Sequence, residues 1–565
     1  MAPHAEVAAV TDTSSVVVPD PILTKGDTHA KFTFDDVLPH RQQSEPVSTI
    51  VAAFSSAHMF KSKKSANKPK ARKWDQHFSM ESRSRQPSSL KGAMKYFKKD
   101  TISLCGGLPS PDYFPFQEVG AKLPVAPHFS QDELAETAQP FSAGKFDTLS
   151  GDSTYDLQIA LNYGQSMGPG AVLRFITEHT EAVHNPPYSD WDICMSAGST
   201  SALDISLRMF LERGHYVITE EYTFSSAIET VLPIGAKMLG IKMDAHGMLP
   251  DDLDHVLSTW DEKARNAPKP FLVYTVPTGQ NPTASTQPLQ RRKDIYALAE
   301  KHNLFILEDE PYFFLQMETF VSGQTHSVEK PFKPAPVKDF LSNLIPSYLS
   351  LDTSGRVLRL DSFSKIIAPG SRTGWVTGPS QVIERFLRHA EVSAQTPSGF
   401  SLITLYKLLE ENWGHKGFLE WLMFIRAEYT RRRDIIVNAC ERYLPAEVAS
   451  WSPPMAGMFH WIKLDITKHP LYAPGEMGLQ KILDIEHSAF AALADMSVLC
   501  AKGSWFRAER GSDTELFLRL TFAAAAPDKM VQAVEKMGFA LRREFGLEQV
   551  ALEHTQNGHT NGHAK

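Results

Sequence analysis

An α/β fold with a mostly parallel central sheet is predicted by three apolar runs and by the helical pattern between two of them. The runs are FLVYTV (Phe271 to Val276), LFIL (Leu304 to Leu307) and RVLRL (Arg356 to Leu360). Each is short, rich in aliphatic and β-branched residues, and of the length of a buried strand. Between the first two lies QRRKDIYALAEKHN (Gln290 to Asn303), in which Ile295, Leu298 and Ala299 recur at helical spacing. The order strand, helix, strand calls for a right-handed crossover and therefore for parallel strands.

Each run ends in a polar cluster: YTVPTGQNPT (Tyr274 to Thr283), ILEDEPYFF (Ile306 to Phe314) and RLDSFSKIIAPGSRTGW (Arg359 to Trp375). Parallel strands share one C-terminal edge, where ligands sit in open α/β sheets, so Asn281, Asp309 and Lys365 are expected to converge despite their separation in sequence. Taken singly these residues have ordinary readings. Lys365 could be a solvated loop lysine, Asp309 part of an acidic loop, and Asn281 before Pro282 the start of a turn. Jointly they supply what pyridoxal 5'-phosphate needs. Lys365 is the candidate for an imine with its aldehyde, an amine made available by poor solvation or a neighbouring cation. A carboxylate facing the pyridine nitrogen keeps that nitrogen protonated, and Asp309 fits. Tyr312 and Asn281 can donate to the ring oxygen. Ser362, Ser364 and Arg372 offer hydroxyls and a forked cation to a phosphate.

The spacing of SFSK and Arg372 resembles that of the fold-type I pyridoxal-phosphate enzymes, and in particular the class I/II aminotransferases. ISLCGGLPSPDYFPF (Ile102 to Phe116), LNYGQSMGPGAVLRF (Leu161 to Phe175), MSAGSTSALD (Met195 to Asp204) and LRLTFA (Leu518 to Ala523) are similar to further signatures of the branch that holds kynurenine/2-aminoadipate and fungal aromatic-amino-acid aminotransferases. The resemblance spans roughly Trp74 to Leu547 and implies a large domain on a mostly parallel sheet with a smaller α+β domain. It implies that Lys365 bonds the cofactor, Asp309 pairs with the ring nitrogen, and Asn281 and Tyr312 hold the ring oxygen. Ser199 and Thr200, after Gly198, would meet the phosphate at a helix N-terminus with Ser362 and Arg372. Phe224 would stack on the ring, with Tyr222 as the alternative, and Tyr163 would reach the phosphate of a partner subunit in a homodimer. Arg519 would fork onto the substrate α-carboxylate near Gly107 and Leu108. In ELFLRLTFA, Phe517, Arg519 and Thr521 share one strand face. Lys91 stands where relatives offer an arginine to a distal carboxylate.

The domain reading follows. Residues 1–73 carry no strong period and are read as largely without fixed structure. The basic run KSKKSANKPKARK (Lys61 to Lys73) is read as a solvated linker, with a nuclear import signal as the alternative. Residues 74–126 form an arm and part of the small domain, 127–392 the large domain, 393–547 the rest of the small domain, and 548–565 a polar tail. A Pro-rich insertion at about 318–340 would lie at a dimer contact or at the site entrance. MFHWIKLDI and ELFLRLTFA supply small-domain strands, and KMVQAVEKMGFALRREF a closing helix.

A net charge of −7 gives no electrostatic case for nucleic acid or membrane as a partner. Four scattered cysteines lack metal-ligand spacing, so no metal is expected, and they fit a reducing, cytoplasmic compartment. The expected activity is transfer of the amino group of phenylalanine, tyrosine or tryptophan to a 2-oxo acid such as 2-oxoglutarate. The alternatives are a 2-aminoadipate or kynurenine aminotransferase, a lyase or decarboxylase on the same fold, and, remotely, a cofactor-binding transcription regulator, whose DNA-reading helices the N-terminal extension lacks.

Overall fold

The structure, a computed structural model, describes residues 31–89, 96, 104, 106–512 and 514–547. At its centre is a seven-stranded sheet: β1 (Trp191–Ser196), β2 (Tyr216–Glu220), β3 (Lys237–Ile241), β4 (Leu272–Thr275), β5 (Phe305–Asp309), β6 (Val357–Ser362) and β7 (Gly374–Pro379). The spatial order is β1-β7-β6-β5-β4-β2-β3. Strands β3, β2, β4, β5 and β6 run parallel, and β7 is antiparallel to both neighbours. Every residue of β1, β4, β5, β6 and β7 is buried, as expected of a sheet covered on both faces. The three predicted strands are therefore adjacent. Leu272 pairs with Phe305 and Ile306 with Val357, so their C-terminal ends finish side by side. The predicted crossover helix is present as Leu289–Lys301.

The second unit is an antiparallel sheet of β8 (Ala449–Trp451), β9 (Phe459–Leu464), β10 (Ala501–Lys502) and β11 (Leu516–Thr521), in the order β8-β9-β11-β10. Helices Leu479–Asp495 and Pro527–Glu544 cover it, and the long helix Gly414–Tyr443 packs along the latter. In the register of β9 on β11, Phe459 lies opposite Thr521 and Trp461 opposite Arg519.

Residues 31–73 differ from the sequence expectation. They form a strap bound to the large unit, with Phe32 only 1% exposed. Arg41 reaches Glu178 (2.8 and 2.6 Å) and Glu410 (2.6 and 2.9 Å) with both edges of its guanidinium. The amide of Ala57 donates to Asp192 (2.9 Å), and Ser62 donates through its amide and its hydroxyl to Glu181. The basic run is not a solvated linker either. Lys61 donates to the carbonyls of Ser189 and Trp191 (both 2.7 Å), and Lys68 to Asn185 and to the carbonyl of Pro186. Such polar anchors leave no hydrophobic period for a sequence reading to detect.

Residues 74–89 likewise join the large unit rather than the small one. The Trp74 indole N–H donates to the Gly355 carbonyl (2.6 Å), its ring meets Phe305 edge-on, and the Ser79 amide bonds the Met209 carbonyl. The Pro-rich insertion lies on the helix Gly414–Tyr443. The Gly323 amide donates to Asn438 (2.9 Å), His326 contacts Asp434, and Arg433 donates to the Glu318 carbonyl.

Candidate active site

At the C-terminal ends of β4, β5 and β6 the sheet opens into a cavity of about 210 Å³. Its lining includes Asn281, Asp309, Tyr312, Ser362, Ser364, Lys365 and Arg372 from the predicted clusters, with Ser199, Thr200 and Phe224 from the two preceding turns. Val276, Pro311, Leu203, Pro369 and Phe459 complete the walls. Convergence at the shared strand edge is thus observed for every residue that the polar clusters nominated.

Asp309 is the last residue of β5. Its Oδ2 accepts a hydrogen bond from the Tyr274 hydroxyl on β4 (2.9 Å), whereas its buried Oδ1 has no partner among the described residues. Burial pushes the carboxyl up to about 6; the Tyr274 hydrogen bond opposes that shift, nearby Asp361 adds to it and Arg359 counters it. Lys365 is shifted the opposite way. Its amine is lowered by burial first, then by the charges of Arg372 and Arg519. Burial also raises the Tyr312 hydroxyl, with a smaller contribution from Asp309.

The phosphate end is shaped by backbone geometry. Gly198, at φ +86°, precedes the helix Ser199–Phe210, and a Cβ there would lie 2.5 Å from Arg372 Nη2. Only glycine leaves room for that guanidinium. Arg372 itself holds a left-handed φ of 45°, uncommon for a residue with a side chain and typical of sites where the surroundings fix the backbone. Its Nη1 donates to the Pro369 carbonyl (2.9 Å) and at 3.4 Å to Ser364 Oγ, which also accepts from Ser362 Oγ (2.9 Å). Ser199 Oγ is buried with no partner among the described residues. Hydroxyls, a cation and helix N–H groups at one point suit a phosphate.

Arg519, on β11, closes the other side. Its guanidinium lies between the rings of Phe459 (4.4 Å) and Phe506 (4.6 Å), and its Nη1 donates to Asn281 Oδ1 (2.7 Å). Its Nε is buried without a partner among the described residues, and burial lowers its pKa. Asn281 thus spends its oxygen on Arg519 and keeps its amide N–H groups for a ligand. The sequence reading assigned Arg519 but missed the two phenylalanines that hold it.

A description of the class I and II aminotransferases matches residues 161–537 of this sequence. The chain belongs to that family. Among curated proteins this aminotransferase is 42% identical over 478 residues to an aromatic amino acid aminotransferase of Schizosaccharomyces pombe, covering 83% of this chain and 98% of that one. It is 35% identical over 409 residues to an L-tyrosine:2-oxoglutarate aminotransferase of Serpula lacrymans, covering 70% and 75%. Among solved structures it superposes on the aminotransferase Aro8 of Candida albicans with a TM-score of 0.78 and 41% identity, covering 85% of this chain and 100% of that one.

The cofactor of the aminotransferase is pyridoxal 5'-phosphate, and the cavity fits it at both ends. The unpartnered Asp309 Oδ1 needs a donor such as a protonated ring nitrogen, and the unpartnered Ser199 Oγ lies beside the Gly198 cradle and Arg372.

Not every nominated residue lies at this cavity. Tyr222 packs away from it, its ring against Trp461 and Phe517, while Phe224 lines it. Gly107 and Leu108 are exposed and outside the lining, Leu108 by 40% of its surface. Tyr163 is 59% exposed and outside it too, and Lys91 falls outside the described residues.

Proposed function

We propose that this aminotransferase moves the amino group of an aromatic L-amino acid, phenylalanine, tyrosine or tryptophan, to a 2-oxo acid such as 2-oxoglutarate. The observation that carries the reading is Arg519, a half-satisfied guanidinium clamped between Phe459 and Phe506 next to Lys365 and Asn281. A carboxylate held there places the substrate side chain near Phe459, which lines the cavity, where a ring contact adds roughly 1 kcal/mol beyond buried area. The names of the relatives from Schizosaccharomyces pombe and Serpula lacrymans agree with that preference.

The cofactor supplies an aldehyde that condenses with amines and a protonated ring that withdraws electrons. The chain supplies the remainder. Lys365 Nζ, kept partly neutral by burial and by Arg372 and Arg519, would take the proton from the substrate α-carbon and return it to the carbon that had been the cofactor's aldehyde, on the other side of the transferred nitrogen. Asp309 holds the ring-nitrogen proton through Oδ1. Asn281 and Tyr312 donate to the ring oxygen, and Phe224 stacks on the ring. Ser199, Thr200, Ser362, Ser364 and Arg372 anchor the phosphate. Arg519 fixes the α-carboxylate, so that the bond to hydrogen, not the bond to the carboxylate, faces Lys365. This orientation favours transamination over decarboxylation.

The same reading includes a homodimer, as the exposure of Tyr163 suggests for its role at a partner's site. Tyr163 is 59% exposed, in a segment that Asn162 ties to the Pro109 carbonyl (3.0 Å), and its apolar ring is one that a second copy would cover. Gly107 and Leu108 would then join the substrate site when that surface is covered. The compartment we favour is the cytoplasm, where thiols such as those of the buried Cys440 and Cys500 stay reduced. Among the described residues no helix is long and apolar enough to cross a membrane.

Mixing the holoenzyme with single amino acids and following the loss of cofactor absorbance ranks the donors. Phenylalanine, tyrosine and tryptophan should react fastest, and Arg519→Lys should lower kcat/KM for each by roughly ten- to a hundredfold through loss of the fork. A preference for 2-aminoadipate or kynurenine over all three would overturn the aromatic assignment.

A further inference from the structure

Asp309 is held from behind by one group. Among the described residues, the only hydrogen bond to either carboxyl oxygen comes from the Tyr274 hydroxyl, 2.9 Å from Oδ2. Tyr274 lies on β4 opposite Leu307 of β5, with 1% of its surface exposed. Its hydroxyl therefore approaches Asp309 from inside the sheet. The other charged or titratable neighbours are Asp361 and Arg359 of β6, themselves joined by two hydrogen bonds of 2.8 Å, and Tyr312 of the following loop. Arg359 directs those bonds to Asp361, and among the described residues no side chain other than Tyr274 donates to Asp309.

Two consequences follow from a single donor on one oxygen. The carboxyl cannot rotate without losing that bond, so Oδ1 stays turned to the cavity. The donor also stabilises the ionised carboxylate over the neutral acid. A proton shared between Asp309 and a pyridine nitrogen can rest on the nitrogen, leaving a carboxylate, or on the oxygen, leaving a neutral acid and a neutral pyridine. Only the first arrangement gives the ring its electron-withdrawing charge. We infer that Tyr274 is a positioning residue for this proton: its hydroxyl orients Asp309 and biases the shared proton onto the cofactor nitrogen. This rests on the assignment of Asp309 to the ring nitrogen.

The test is the ¹⁵N resonance of cofactor labelled at the ring nitrogen and bound to the protein. In wild-type holoenzyme it should lie at the protonated-pyridine position. In Tyr274→Phe, which removes one oxygen from a buried ring, it should move toward the neutral position. The apoprotein should bind cofactor more weakly, and kcat should fall about ten- to a hundredfold with KM changed less than about threefold, the range for losing a hydrogen bond to a charged group. Should Tyr274→Phe fail to fold, 3-fluorotyrosine at position 274 provides a stronger donor of nearly the same size and should hold the nitrogen protonated to higher pH. An unmoved resonance in Tyr274→Phe, or in its absence an unmoved pH response in the fluorinated protein, overturns the inference. Asp309→Asn separates the two claims. If it abolishes the protonated signal while Tyr274→Phe does not, only the role of Tyr274 falls; if neither changes the signal, the assignment of Asp309 falls as well.

Discussion

Replacing Asp309 with asparagine should make the apoprotein more stable at alkaline pH and, at the same time, a poorer host for its cofactor. Burial raises this carboxyl from 3.8 to about 6, against the opposing hydrogen bond from Tyr274. The folded value lies above the unfolded one. The stability contributed by the neutral acid is therefore complete below about pH 4 and is lost as pH rises through about 6. A shift of about two units corresponds to roughly 3 kcal/mol carried as a burden at pH 8. Asparagine keeps an acceptor for Tyr274 and has no charge to bury. The stability difference between variant and wild-type apoprotein should then grow in favour of the variant by roughly 2.5 kcal/mol between pH 4 and pH 8. Urea unfolding at both pH values measures it, and other titrating groups cancel in the difference. A difference that stays constant across that range would refute the reasoning, because it would mean that Asp309 titrates as a solvated carboxylate.

Two further substitutions probe other parts of the structure. Gly198→Ala places a Cβ at a φ of +86° and ψ of 168°, a region essentially confined to glycine, and 2.5 Å from Arg372 Nη2, so cofactor affinity should drop by roughly tenfold or more, from backbone strain of about 1–3 kcal/mol and the displaced guanidinium. Equilibrium titration of apoprotein with cofactor checks it, and unchanged affinity would detach Arg372 from the phosphate. Arg41→Ala withdraws a fork from Glu178 and Glu410, whose side chains are 1% and 9% exposed, leaving them, among the described residues, only His415 and Arg174. Unfolding free energy should fall by about 3 kcal/mol, the low end for breaking a buried ion pair. A loss under about 0.5 kcal/mol would make the strap dispensable.

What the sequence revealed depended on which physical signal each element left in it. Strands β4, β5 and β6 were legible because buried parallel strands need continuous apolar runs. The residues after them were legible because an amide, an acid and a lysine at successive strand ends are hard to explain otherwise. Tyr274 was not. It sits inside FLVYTV and reads as core, and nothing in a linear sequence shows that its hydroxyl meets an aspartate on the next strand. Phe459 was read as part of a strand and Phe506 went unnoticed, because their role appears only when the small unit folds against the large one. The strap at 31–73 was misjudged because lysines and serines bonded to carbonyls look, in sequence, like solvated ones.

The most direct measurement concerns Lys365. Holoenzyme reduced with borohydride, digested and mapped by mass spectrometry should carry the pyridoxyl group on the peptide SFSKIIAPGSR, at Lys365. Lys365→Ala should bind cofactor, incorporate none covalently, and lose turnover by at least about a thousandfold. Label on any other lysine, or transamination that persists in the alanine variant, would contradict the account at its centre.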